Sequence, residues 1–273
     1  MGLRIQNNIA AMTAHRNLTV SDAAMGKSLE RLSSGFRINS AKDDAAGLAI
    51  SQTFRANIAS VKVAQRNITE ANSLLQTAEG AMDTIGNILT RMKELATQAA
   101  SANVGGDITA VAAEYDALVA EIDRIADSTK YAGVTLLDGS FSAQNFQVGY
   151  ESTADSRLSV SLDTVSSASI GLGTGDLVSS ATAYASLALI DTAISSLAAD
   201  RGAIGAYQNR LTYASANLQI TVENMTASES VIRDVDMAAE MTTFTKTQIL
   251  MQAGTAMLAQ ANMAPQNVLS LFG

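Results

Sequence analysis

Residues 54–99 read FRANIASVKVAQRNITEANSLLQTAEGAMDTIGNILTRMKELATQA. Every seventh position is apolar: Phe54, Val61, Ile68, Leu75, Met82, Leu89, Ala96. Three places after these rungs stand Asn57, Ala64, Ala71, Ala78, Ile85, Met92 and Ala99. Apolar steps of three and four, sustained over six heptads, predict a long amphipathic helix in a coiled-coil seam. A second ladder lies near the other end: Ile190, Leu197, Ile204, Leu211, Leu218, Met225, Ile232. At roughly 1.5 Å per residue, each ladder predicts a helix of about 64 Å. The fold class expected is mainly α, with long helical coiled-coil rods from both chain ends and a small β-hairpin patch. Such rods suit an elongated building element better than an enzyme.

Composition agrees with close helix packing. Aromatic residues are 4% of the 273, Trp is absent, and one Pro (Pro265) leaves the helices almost unbroken. The absence of Cys excludes a disulfide framework and thiolate chemistry. The net charge of −8 is concentrated in the middle, where residues 94–200 carry 3 basic and 14 acidic groups. So acidic a centre argues against nucleic acid, which needs a basic footprint. Met1 to Met12 lacks the apolar run and small-residue site of a Sec-type signal. No stretch of 18 uncharged apolar residues occurs, so no membrane span is expected.

Ala11, Leu18, Met25 and Leu32 predict an N-terminal helix to about Ser33, broken by Ser34-Gly35. Ser40 to Asp43 has capping-box spacing, with Asp43 and Asp44 near the next helix start. Val104 to Asp107 reads as a turn, and Ile108, Val111, Tyr115, Leu118, Ile122 and Ile125 as a further helix. Phe146 and Val148, then Leu158, Val160 and Leu162, alternate as strands do, with 151–156 as the turn between them. Residues 163–182, rich in Ser, Thr and Gly, read as surface loop, and the last long helix starts near Tyr184. In the tail, Met237, Met241, Phe244, Met251 and Leu258 form a stripe, and Leu269 and Leu271 close the chain. From 237 onward the only charged side chains are Glu240 and Lys246. Such a helix must bury its apolar face against another chain or stay disordered until one comes. The N-terminal helix has the same need.

Catalytic chemistry has little to work with. His15 is the only histidine, so it reads as a packing or surface residue rather than a triad or HExxH member. Asp43-Asp44 reads as a helix cap rather than an acid/base pair. Asp234 and Asp236 have no further metal ligands nearby in sequence. Gly171 to Gly175 lacks the strand–helix context and Lys of a phosphate loop. No catalytic residue, metal site or cofactor is expected.

Residues 32–51, LSSGFRINSAKDDAAGLAIS, resemble the N-terminal signature of bacterial flagellins. Residues 247–262, TQILMQAGTAMLAQAN, and 265–271, PQNVLSL, resemble their C-terminal signature. Arg91 to Ala96 and Glu121 to Ala126 are similar to further family segments, so the resemblance covers 1–140 and 180–273. It implies a subunit that self-assembles into the helical flagellar filament for swimming, secreted and extracellular. Residues 1–33 and 234–273 would be the helices of an inner coiled-coil tube, D0. Residues 34–233 would be the D1 rod, its hairpin around 131–182, with the family's large outer domains absent. Leu18, Met25, Leu32, Met237, Met241, Phe244, Met251, Leu258, Leu269 and Leu271 are the expected self-assembly residues. The partners implied are other copies of the chain, the export apparatus, a flagellin chaperone, the filament cap and hook–filament junction proteins. The resemblance also implies an immune-receptor contact, Toll-like receptor 5, through Arg91, Leu95 and Glu114. Two alternatives stand beside it. One is a hook–filament junction protein, whose relatives often carry Pro after the paired Asp where Ala45-Ala46 stands here. The other is a monomeric secreted coiled-coil adhesin or effector.

Overall fold

Burial of the two ladders organises the chain. The computed structural model describes residues 7–101, 108–172, 177 and 179–269, with side chains as far as residue 263. In chain order they form α1 (Ile9–Ser34), α2 (Ala45–Ala100), α3 (Ile108–Ser128), β1 (Lys130–Tyr131) and β2 (Val134–Thr135). Then come β3 (Gln144–Gln147), β4 (Arg157–Val160), α4 (Ser180–Arg233) and α5 (Met237–Leu269). Two compact units result: residues 1–56 with 224–273, and residues 57–223. The expected turn at 104–107 lies outside the described residues.

In the unit of residues 57–223, Val61, Ile68, Leu75, Met82, Leu89 and Ala96 are all buried, as are Ala64 through Ala99 of the companion rungs. Ile190, Leu197, Ile204, Leu211 and Leu218 of α4 join the same core. Helices α2 and α4 run antiparallel here. Gln208 donates to Glu79 (3.0 Å), Arg201 pairs with Asp83 (3.1 Å), and Lys93 pairs with Asp191. Helix α3 adds Val111, Tyr115, Ile122 and Ile125 to the core. By length and composition alone α4 would suffice to cross a bilayer, its most apolar window averaging a hydropathy of 1.3. Yet Ala183, Ile190, Ala193 and Leu197 of that helix are spent on the protein's own interior.

The β patch is two antiparallel hairpins, β1–β2 and β3–β4. In the second, Phe146 faces Leu158, and residues between 147 and 157 make the turn, as the alternation predicts. Of the surface loop expected at 163–182, residues 173–176 and 178 lie outside the described residues, and the rest differ from it. Val165, Ile170, Leu172 and Leu177 are buried in the core. Their spacing of five, two and five follows neither helix nor strand, so no periodicity marks them. Asp123 on α3 holds this stretch in place, accepting from the Ser167 backbone N–H (2.7 Å) and hydroxyl (2.8 Å). Helix α4 also begins earlier than Tyr184. Ser179 accepts from the Thr182 N–H (3.3 Å), and Thr182 Oγ1 accepts from the Ser179 N–H (3.1 Å), a reciprocal cap.

The helix start near Ser40 is likewise displaced. Helix α2 begins at Ala45, where the Asp44 carboxylate accepts from the Gly47 N–H at 2.9 Å. Asp44 is therefore the cap. Asp43 instead accepts from the backbone N–H groups of Asn39 and Ser40 and pairs with Lys27 on α1 at 2.8 Å.

Two outcomes follow. Leu75→Ala removes a fully buried rung and is expected to destabilise by about 2–5 kcal/mol, read from urea unfolding by circular dichroism. Asp200 has its carboxyl pushed up, first by burial and then by the negative charge of Asp163. A carboxylate raised in the folded state penalises folding above that raised value, and protonation relieves the penalty as pH falls through it. Asp200→Asn is therefore expected to raise the urea midpoint at neutral pH. The gain over the parent chain should shrink by about pH 4.

Candidate self-assembly surface of the terminal helices

The unit of residues 1–56 and 224–273 is built around α1 and α5. Along α1, Ala11, Ala14, Leu18, Ser21, Met25, Ser28 and Leu32 are at least half-buried, at steps of three and four. Along α5, Glu240, Phe244, Thr247, Met251, Gly254, Leu258 and Ala261 follow the same rhythm. The helices run antiparallel. The Asn8 side-chain amide donates to the Ala261 carbonyl at 2.8 Å, and Arg31 pairs with Glu240 at 3.5 Å near the opposite end. Small residues allow this approach. A methyl group on Gly254 would stand 3.2 Å from Leu18 Cδ1, tighter than ordinary packing.

Each end of the pair is anchored. Asn8 caps α1 by accepting from the Ala11 N–H at 3.0 Å. At the other end Gly35, with φ near 75°, takes the left-handed position that closes the helix and donates to the Arg31 carbonyl at 2.9 Å. The segment after it then pairs with the end of α4. The Arg37 N–H donates to the Arg233 carbonyl (2.6 Å), and the Val235 N–H donates to the Gly35 carbonyl (3.0 Å). The Arg233 guanidinium covers the Phe36 ring at 4.1 Å, a cation–π contact. The hydrogen bond from Lys27 and the N–H groups of Ser40 and Asn39 hold the Asp43 carboxyl far below the usual carboxylate range. Its charge is thus a fixed part of the α1–α2 connection.

This pairing corrects the expectation that the end helices must find cover on another chain. Leu18, Met25 and Leu32 and their counterparts Phe244, Met251 and Leu258 lie in the α1–α5 seam, because two stripes of matching period on one chain can cover each other. Met237 and Met241 turn away from the seam and are exposed. The side chains of Leu269 and Leu271 lie outside those described.

What remains uncovered is apolar surface outside the seam, which the seven-residue ladders do not register. On α1 it comprises Ile9, Met12, Val20 and Leu29; on α5, Ile249, Leu250, Met257 and Met263 join Met237 and Met241. Met12 is 68% exposed and Met257 64%. The signal in the sequence is the near absence of charge along α5, where Glu240 and Lys246 are the only ionisable side chains. Patches of this kind mark association surfaces.

The expected receptor-contact residues fall elsewhere, on the α2–α3 pair. Arg91 is exposed and donates to Glu114 (3.0 Å) and Glu94 (3.0 Å). These two carboxylates push the Arg91 guanidinium pKa up, Glu94 first. Leu95 is 1% exposed, so its side chain belongs to the core and presents no surface. Among the described residues no three His, Cys, Asp or Glu side chains gather as a metal site.

Residues 5–142 match the bacterial flagellin N-terminal helical region, and residues 187–272 match the bacterial flagellin C-terminal helical region. The chain belongs to the bacterial flagellin family. It is 44% identical over 269 residues to a flagellin of Halalkalibacterium halodurans, covering 98% of this chain and 99% of that one. It is 39% identical over 305 residues to a flagellin of Bacillus subtilis, covering 99% and 100%. A flagellar filament 30.7 kDa core protein of Treponema maltophilum is 39% identical over 284 residues, covering 98% and 99%. Among solved structures, a Bacillus cereus flagellin superimposes with a TM-score of 0.50 at 34% identity, over 60% of this chain and 94% of that one. The fold also resembles that of a putative flagellar hook-associated protein from Vibrio parahaemolyticus, with a TM-score of 0.57 at 13% identity, over 70% and 99%.

The seam yields a sharp test. Gly254→Leu places a branched side chain where Leu18 already sits and is expected to force α1 from α5. Hydrogen exchange of the α1 and α5 amides should quicken in this variant, while amides of α3 stay protected. Unchanged exchange in α1 would contradict the packing described.

Proposed function

We propose that the chain is a structural subunit of the bacterial flagellar filament, exported from the cell and self-assembling into a helical homopolymer outside it. The observation that carries this reading is the apolar surface of α1 and α5 left bare after the two helices have covered each other. Burying one such Met, Leu or Ile side chain contributes about 1.5–3 kcal/mol. The same contact repeated with several neighbours therefore stabilises a polymer more than a single interface does a dimer. Family names support the assignment, since the similar Treponema maltophilum protein is called a filament core protein.

In this reading residues 1–33 and 234–273 form the inner layer, D0, and residues 34–233 the surrounding D1. The apolar, charge-poor ends pass through export before they pair. The export apparatus, a chaperone that shields the C-terminal helix, the filament cap and the junction proteins would be its partners. Its role is mechanical, with no catalytic step. Contact with Toll-like receptor 5 would fall to the exposed ion-paired Arg91 and Glu114, with Leu95 shaping α2 from beneath.

Purified full-length protein added to filament fragments should elongate them, visible by electron microscopy. Deleting residues 237–273 should leave a partly helical, soluble chain that adds to no seed. Normal filaments from that truncation would falsify the assignment of assembly to the terminal helices.

A further inference from the structure

The chain has no cysteine and eleven methionines, so thioether sulfur is its most readily oxidised side-chain group. The exposure of those sulfurs is sharply divided. Met82 and Met92 are fully buried in the core of residues 57–223. Met25, Met225 and Met251 are half-buried. Met12, Met237, Met241, Met257 and Met263 are exposed, and all five lie on α1 and α5, outside the seam.

We propose that these five methionines are sulfoxidation sites through which hydrogen peroxide controls addition of the free subunit to the polymer. The inference rests on the assembly reading above. A sulfur lone pair attacks one oxygen of hydrogen peroxide, the O–O bond breaks, and an S–O bond forms. Sulfur loses two electrons, and the peroxide leaves as water. The reverse step takes a thiol-dependent sulfoxide reductase, which returns the thioether and leaves water and a disulfide.

The consequence follows from where the new oxygen sits. A sulfoxide is a strong acceptor, and burying it without a donor is costly. Helix α5 carries exposed amide donors in Gln248, Gln252, Gln260 and Asn262. The hydroxyls of Thr242, Thr243, Thr245 and Thr255 already donate to carbonyls of their own helix. Lys246 is the single cationic side chain of that helix. Covering the oxidised surface therefore requires each sulfoxide to be desolvated and matched to a donor in the contact, a demand that the thioethers do not make. Once the face is covered in the polymer, the sulfurs are shielded. The unassembled subunit is the sensitive form.

Dilute hydrogen peroxide applied to the purified, unpolymerised full chain, followed by peptide mass mapping, reads site selectivity. The five exposed methionines should gain oxygen about tenfold faster than Met82 and Met92. Elongation of filament seeds by the oxidised chain should fall about tenfold or more. Methionine sulfoxide reductases with dithiothreitol should restore it. A variant carrying Met12→Leu, Met237→Leu, Met241→Leu, Met257→Leu and Met263→Leu should elongate seeds at a rate that peroxide leaves unchanged. If that variant does not elongate, reductase rescue of the native chain decides. Untreated chain that never elongates seeds sinks the assembly reading, and this inference with it. Untreated and oxidised chains elongating equally, or Met82 oxidising as fast as Met257, overturn this inference alone.

Discussion

Pairing of the first helix with the last is the contact on which the terminal unit depends. Neither helix is self-sufficient: each carries an apolar stripe and further exposed apolar side chains, and α5 has little charge. Laid antiparallel, with Gly254 beneath Leu18 and Asn8 tied to the Ala261 carbonyl, they cover one stripe each. Because the partners come from opposite ends of the sequence, closing this contact carries the largest loop entropy in the chain. It is therefore supported by several local devices. These are the left-handed Gly35, the Lys27–Asp43 ion pair and the Arg233–Phe36 contact.

The same pairing explains the character of the surface that is left. A helix with apolar side chains beyond its seam gives only the seam to a single neighbour. The remainder is then exposed in one copy and available to others, which is what a polymer subunit requires. A two-stranded pair with one polar side would stop at the monomer. Residues 57–223 contrast with this: there α2, α3, α4 and the hairpins enclose a common interior.

Much of this was legible in the chain itself. The ladders from Val61 to Ala96 and from Ile190 to Leu218 are buried because a heptad period keeps one helix face constant over many turns. The β3–β4 hairpin follows from alternation at Phe146, Leu158 and Val160. Segments without a period were less legible. Val165, Ile170, Leu172 and Leu177 enter the core singly, held by Asp123 from 44 residues away, and a Ser/Thr-rich composition hides them. The cap of α2 at Asp44 rather than Ser40 turned on one competing use, since Asp43 and Ser40 are occupied in the turn with Lys27.

The sequence by itself determined which faces are apolar, the positions of the long helices and membership of the flagellin family, because these depend on spacing along one segment. Only the tertiary structure decided how those faces are shared out. Leu18 and Met251 go to the seam, Met241 and Met257 to the surface, and Leu95 to the interior beneath Arg91. The reason is geometric. A period says that a side chain has an apolar neighbour, whereas the identity of that neighbour depends on which distant segment reaches it first.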